Sequence, residues 1–181
     1  MSGRPTELAF IALGSNIQPE HHLPAAITQL QSVGRMQAVS RAYQSKPVGG
    51  KRQPDFLNAA VLMGVTGEPA NIRALLREIE TSLGRVRTED KYASRTIDLD
   101  LVLLGDRVDP EFPLPDPDIL TRGHLAVPLA ELAPDFCHPI TGEALGTIAA
   151  RLRSDGLQPH MNVSQRLSDL LAEGREVETG E

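Results

Sequence analysis

Apolar and polar positions along the chain follow two different rhythms. The block Leu8-Ala9-Phe10-Ile11-Ala12-Leu13, closed by Gly14-Ser15-Asn16, predicts a central strand and turn. Pro19 opens a helix with Leu23, Ala26, Ile27, Leu30 and Val33 at helical spacing, and Gly34 ends it. Met36 to Tyr43 is β-like, with Val39 and Tyr43 at alternating positions, and Phe56 to Val65 predicts a strand that pairs with it. The Pro- and Gly-rich segment Gln44 to Asp55 between them is too long for a tight hairpin, which predicts a functional loop. Pro69 starts a second helix, with Ile72, Leu75, Leu76, Ile79 and Leu83 on one face and Gly84 at its end. Arg95 to Gly105 then reads as a strand. The order β-α-β-β-α-β predicts an α+β fold with a ferredoxin-like core, a mainly antiparallel sheet carrying both helices on one face.

Downstream, Asp106-Arg107 suggests a turn into a short strand around Val108, and Phe112 to Pro117 is expected to be extended. Leu125 to Leu132 and Ala144 to Leu152 predict two more helices, which would cover the other face of the sheet and give three layers, α/β/α. Past Ser154 the chain is polar, apart from Val163, Leu167, Leu170 and Leu171, which predict a short helix after Ser164 before a loose acidic end. Residues 1–153 are therefore expected to form the main folded domain and 154–181 a C-terminal extension, partly helical or loose.

The Arg95 to Gly105 strand carries an anomaly. Side chains alternate along a strand, so Asp98 and Asp100 share one face, roughly 6 to 7 Å apart at Cα, while Ile97, Leu99 and Leu101 share the other. From Leu101 onward both faces are apolar, the mark of an interior strand covered on both sides. Two carboxylates about 5 Å apart at an effective dielectric of 20 repel by roughly 3 kcal/mol. A divalent cation reverses that sign, and Mg²⁺ typically binds one or two carboxylates plus waters and phosphate oxygens. The plainer alternative is that both acids simply face solvent. Just upstream, Gly84 to Arg95 is a cationic loop holding Arg85, Arg87, Lys91 and Arg95, expected to be mobile. Beside a carboxylate-bound metal it would supply donors to polyphosphate oxygens; on its own it would be a solvated loop.

Composition narrows the function class. At 181 residues, 40% hydrophobic and 23% charged, the chain fits one soluble globular domain. Its apolar runs are too short to cross a bilayer, and its polar start lacks the pattern of a signal peptide, so a cytoplasmic location is expected. A single cysteine, Cys137, excludes an internal disulfide. The net charge of −6 argues against gripping nucleic acid by its backbone. Aromatics are scarce, with four Phe, two Tyr and no Trp, so Phe56 and Tyr92 beside candidate loops carry added weight.

Taken in order, Leu13-Gly14-Ser15-Asn16, Gln53-Pro54-Asp55-Phe56-Leu57-Asn58-Ala59-Ala60-Val61, Gly84-Arg85-Val86-Arg87 and Arg95-Thr96-Ile97-Asp98-Leu99-Asp100 resemble the hydroxymethyldihydropterin pyrophosphokinase family. The resemblance spans roughly Leu8 to Leu152. It implies transfer of diphosphate from ATP to the hydroxymethyl group of 6-hydroxymethyl-7,8-dihydropterin in folate biosynthesis, releasing AMP. Asp98 and Asp100 would hold two Mg²⁺ ions, and Arg85 and Arg95 would contact the phosphates. Glu80, Arg87, Lys91, Tyr92 and Arg122 would serve the nucleotide. Phe56 would stack on the pterin, Asn58 would read its edge, and Val48 would offer a loop backbone contact.

Two positions depart from the family pattern: Asp116 stands where a histidine is usual, and His124 where the second stacking phenylalanine is usual. These leave open a paralogue that acts on a different pterin, or one that binds nucleotide or pterin as a sensor or partner subunit. An RNA-binding or interaction module, suggested by fold alone, is disfavoured by the acidic charge and the lack of an aromatic strand motif. No nucleic-acid or membrane partner is expected, and the chain is expected to be a monomer or weak homodimer.

Overall fold

β1 (Glu7–Ser15) lies inside a six-stranded sheet whose other strands are β2 (Arg35–Val39), β3 (Tyr43–Ser45), β4 (Phe56–Val65), β5 (Asp98–Leu104) and β6 (Gln158–Pro159). The helices are α1 (Pro19–Leu30), α2 (Pro69–Ser82), α3 (Gly123–Leu132), α4 (Leu145–Leu152) and α5 (Met161–Thr179), with a short 3-10 helix at Pro117–Leu120. This computed structural model describes residues 5–47, 52–90, 93–152 and 156–179. The strands run in the order β5-β1-β4-β3-β6, with β2 also on β4, and every pair is antiparallel. Over the first five strands this is the expected ferredoxin-like arrangement. No helix among the described residues is long and apolar enough to cross a membrane.

Alternation along β1 divides the core. Ala9, Ile11 and Leu13 point to one face, where Leu23, Ile27, Ile72, Leu76 and Ile79 of α1 and α2 cover them together with Val163, Leu167 and Leu170 of α5. Phe10 points to the other face, against Leu125, Val127, Leu129, Leu145 and Ile148 of α3 and α4. The three layers predicted from the sequence are present. Each face is dry because two or three amphipathic helices lay their apolar stripes on it.

Several boundaries differ from the sequence expectation. Met36 to Tyr43 is not one strand but β2 and β3, interrupted at 40–42, because the Ser40 hydroxyl accepts a hydrogen bond from the Ala60 backbone N–H (2.8 Å) and displaces the regular ladder. β5 begins at Asp98 rather than Arg95, since the Arg95 carbonyl is taken by the N–H groups of Asn16 and Ile17 (both 3.2 Å). β5 is also an edge strand, not an interior one. Its apolar character comes from helices over both faces, and its open edge is capped by α2, where Glu80 accepts from Leu99 N (2.8 Å) and Arg73 donates to Leu101 O (3.4 Å).

α1 ends at Leu30, and Val33 packs on the core from the turn that follows. Leu75 is 43% exposed, off the buried face of α2. No regular strand forms around Val108: residues 110–113 make a turn closed by an isolated Asp109–Leu114 bridge, so Phe112 to Pro117 is not extended throughout. The tail helix starts at Met161, before Ser164, and is 19 residues long.

Candidate active site

The register of β1 creates the site. Gly14 sits directly opposite Asn58 on β4 and opposite Asp98 on β5, and Ala12 sits opposite Ala60 and Asp100. Lateral neighbours in a sheet share a face, so one side chain from each flanking strand stands over a floor of glycine and alanine. A cleft of about 330 Å³ opens there, reached by Asp98, Asp100, Asn58, Phe56, Arg95 and His124. A Cβ added at Gly14 would lie 3.5 Å from Asn58 Oδ1 and 4.0 Å from the Phe56 ring, so the missing side chain is part of the cleft volume. The two aspartates do share one face, as alternation predicts, and both line this cleft.

They are not equivalent. Asp98 is held by ion pairs to Arg85 and Arg95, with side-chain exposures of 23%, 11% and 19%. Burial acts to raise its pKa, but the two guanidinium groups outweigh it and hold the carboxyl below the usual carboxylate range. Asp100 is pushed up to about 7, first by burial, then by the charges of Asp98, Glu80 and Asp116, with Arg85 opposing. Its surface is open to a water-sized probe even though protein surrounds it on most sides, as expected for a group on the floor of a concave site. Asp100 makes no hydrogen bond or ion pair among the described residues.

Such a carboxylate, crowded by other acids and open to the cleft, suits a divalent cation. No cluster of three or more His, Cys, Asp or Glu ligands occurs among the described residues. Two aspartates with waters and phosphate oxygens is the donor set Mg²⁺ accepts.

Local sequence explains how Arg85 reaches Asp98. Gly84 has φ +78°, and its N–H donates to Thr81 O (3.0 Å) while Arg85 N donates to Glu80 O (3.0 Å), a left-handed helix end that glycine permits. The chain thus folds Arg85 back over the last turn of α2. There Glu80, 1% exposed, accepts from Arg85, Arg87 and the Leu99 backbone. It is a buried junction between α2, the cationic loop and β5 rather than a solvated helix residue. The start of the cationic loop, expected to be mobile, is pinned at Arg85 by two acids.

On the β4 side, Asn58 donates through Nδ2 to Tyr43 O (3.2 Å) and Ser45 Oγ (2.8 Å). Its two N–H groups are thereby used, and Oδ1 faces Gly14 as an acceptor. The Arg95 guanidinium lies 5.7 Å from the centroid of the Phe56 ring, a cation–π contact joining the two halves of the cleft. Arg122 and Asp118, 3.9 Å apart, line the opening with Asp116, whose carboxyl is raised by burial although it accepts from Asp118 N (2.9 Å). Val48, Lys91 and Tyr92 lie outside the described residues.

Sequence reasoning missed several contributors. Gly14 and Ala12 form the floor, and Ser45 and Lys46 form part of the wall. Asn16, buried, donates to Gln53 Oε1 (3.0 Å), Pro54 O (3.3 Å) and Ser94 Oγ (3.2 Å) and accepts from Arg95 N (2.8 Å), tying the loop before β4 to the loop before β5. The available signal was the alternation of small residues, Ala12 and Gly14, on one face of an otherwise bulky strand.

A family model described as 7,8-dihydro-6-hydroxymethylpterin-pyrophosphokinase (HPPK) matches residues 10–134. A Synechocystis protein named 2-amino-4-hydroxy-6-hydroxymethyldihydropteridine pyrophosphokinase is 37% identical over 142 residues, covering 76% of this chain and 72% of its own length. A Methylorubrum extorquens protein of the same name is 35% identical over 155 residues, covering 83% and 96%. Among solved structures, wild-type Plasmodium falciparum HPPK-DHPS with pterin and p-hydroxybenzoate superposes with a TM-score of 0.67 at 12% identity, over 84% of this chain and 43% of that one. The present chain thus spans under half of that structure, and the likeness is one of fold. The extent of the family match and the identities to these relatives establish that this chain belongs to the 7,8-dihydro-6-hydroxymethylpterin-pyrophosphokinase family.

Proposed function

We propose that this chain transfers the terminal diphosphate of ATP to the hydroxymethyl group of 6-hydroxymethyl-7,8-dihydropterin, releasing AMP, and that residues 1–153 carry the chemistry. The observation that supports this most directly is the β1 register, which stands Asn58 and Asp98 on either side of Gly14. An acceptor for a heterocycle edge and an acid for a metal–polyphosphate thus meet in one cleft. Phe56 offers its ring face to the flat heterocycle, and His124 lines the same space. Asn58 Oδ1, its N–H groups already committed, accepts from the heterocycle's ring N–H or amino group.

Asp98 and Asp100 would hold two Mg²⁺ ions. When bound, these supply charge neutralisation on the polyphosphate and orientation of the β-phosphorus for in-line attack by the pterin hydroxyl. Arg85 and Arg95 bring positive charge to the same corner, Arg87 and Arg122 would add to it on the nucleotide side, and the family resemblance alone carries Lys91 and Tyr92 for the nucleotide and Val48 for the pterin. Glu80, buried beneath Arg85 and Arg87, sets where those cations stand.

The test is product analysis with ATP, Mg²⁺ and a panel of pterin alcohols. AMP and a pterin diphosphate are expected. ADP would mean a simple kinase, and release of neither nucleotide would leave a binding protein and retire the proposal. Asp116 and His124, both lining the cleft, make the preferred alcohol the informative variable in that panel.

A further inference from the structure

The family match ends at residue 134, yet the chain beyond it grips the strand that shapes the pterin side of the cleft. β3 is only three residues long and pairs with β4 through Tyr43↔Asn58, Gln44↔Leu57 and Ser45↔Phe56. A strand of that length with one neighbour is marginal and leaves its outer edge open. Here β6 closes that edge, pairing Pro159 with Tyr43 and Gln158 with Gln44.

Next to it, both backbone groups of the buried Ala42 bond to the tail. Its N–H donates to Ser164 Oγ (2.9 Å), and its carbonyl accepts from His160 N (2.8 Å). Ser164 Oγ in turn donates to His160 O (2.8 Å), and His160 Nδ1 accepts from Val163 N (3.4 Å) at the start of α5. α5 is anchored independently by Val163, Leu167 and Leu170 in the core and by Gln31 Nε2 donating to Leu170 O (3.3 Å). A rigid helix therefore holds Ala42, and one residue on begin the groups that orient Asn58: Tyr43 O and Ser45 Oγ, the two acceptors of its amide.

We propose that residues 156–179 are a positioning element for substrate selection. By fixing β3 from its outer edge they hold the Asn58 amide so that Oδ1 faces the heterocycle. This rests on the diphosphate-transfer reading, since it assigns Asn58 to the pterin. The carboxylate corner lies across β1 from Asn58, on β5, at the edge of the sheet opposite β6.

The experiment measures binding of the pterin alcohol and of a non-hydrolysable ATP analogue with Mg²⁺, separately, together with amide hydrogen exchange at Tyr43 to Ser45, in the full chain. For Ser164→Ala, pterin affinity falls about fivefold, the size of one net hydrogen bond, nucleotide affinity is unchanged and exchange at β3 quickens. Ser164→Thr, which keeps the hydroxyl, restores pterin affinity. Gln31→Ala, which loosens the same helix away from β3, leaves it unchanged. Parallel loss of both ligands, or quickened exchange with pterin affinity intact, overturns the proposal. If the wild-type chain binds no pterin, the function reading itself has failed; if it binds and Ser164→Ala binds equally well, only the positioning role has.

Discussion

Replacing Asp100 by asparagine should stabilise the metal-free protein at pH 8. The carboxyl has a folded-state pKa of about 7 against 3.8 in the unfolded chain, so folding favours its protonated form. Below pH 3.8 both states are protonated and the acid costs nothing. As pH rises through the interval the native state is progressively destabilised, and above about 7 the penalty is complete. Three units at 1.36 kcal/mol each give about 4 kcal/mol for a fully desolvated group, but Asp100 is open to water, and screening reduces this to about 1–2 kcal/mol. For a chain of this size that is a rise in Tm of about 3–6 °C. The assay is thermal unfolding in chelator from pH 4 to pH 8, comparing wild type with Asp100→Asn. The gap should be widest at pH 8 and close towards pH 4. An unchanged or lower Tm at pH 8, or a gap independent of pH, would refute the account of Asp100 as a crowded, unpaired acid. Adding Mg²⁺ with an ATP analogue should raise the Tm of wild type more than that of the variant.

Asp98→Asn should do the opposite. It strips Arg85 and Arg95 of a shared counter-charge and should cost about 2–3 kcal/mol at pH 8 in the same melts, with turnover abolished. Because its folded pKa is lowered, that stability is present above the unfolded value and is lost as pH falls through the folded one. Gly14→Ala should leave Tm nearly unchanged, since the added methyl meets only ordinary contacts, while occupying cleft volume between Asn58 and Phe56 and weakening pterin binding by about tenfold or more; equal affinity in a titration would remove Gly14 from the floor. Asn58→Asp sets an acceptor against the Tyr43 carbonyl, which has no proton to give, although the Ser45 hydroxyl can turn to donate, and should lower both stability, by about 1–3 kcal/mol, and pterin affinity, as read by unfolding and binding together. Arg85→Ala should lower turnover more than nucleotide affinity, and weaker ATP binding at full turnover would contradict the role proposed for it at the reacting phosphates.

Much of the fold was legible because its signals are local. Apolar runs marked β1 and β4, a period of 3.6 marked α1 and α2, Pro19 and Pro69 marked helix starts, and Gly84 marked the helix end that turns Arg85 inward. Alternation alone put Asp98 and Asp100 on one face. Glu80 came to notice only through the family resemblance, and its burial was not legible, because an acid on a polar-flanked helix looks solvated until the strand that buries it is in place. The split of β2 from β3 was hidden in a serine hydroxyl that replaces a ladder bond.

What the chain determined by itself was therefore the identity of its elements and the common face of the two acids, since both follow from neighbours a few residues apart. Only the tertiary structure decided that β5 is an edge strand, that Gly14 lies between Asn58 and Asp98, and that the two aspartates differ. Two aspartates in one strand are chemically identical until long-range packing gives one of them two arginines and leaves the other among acids.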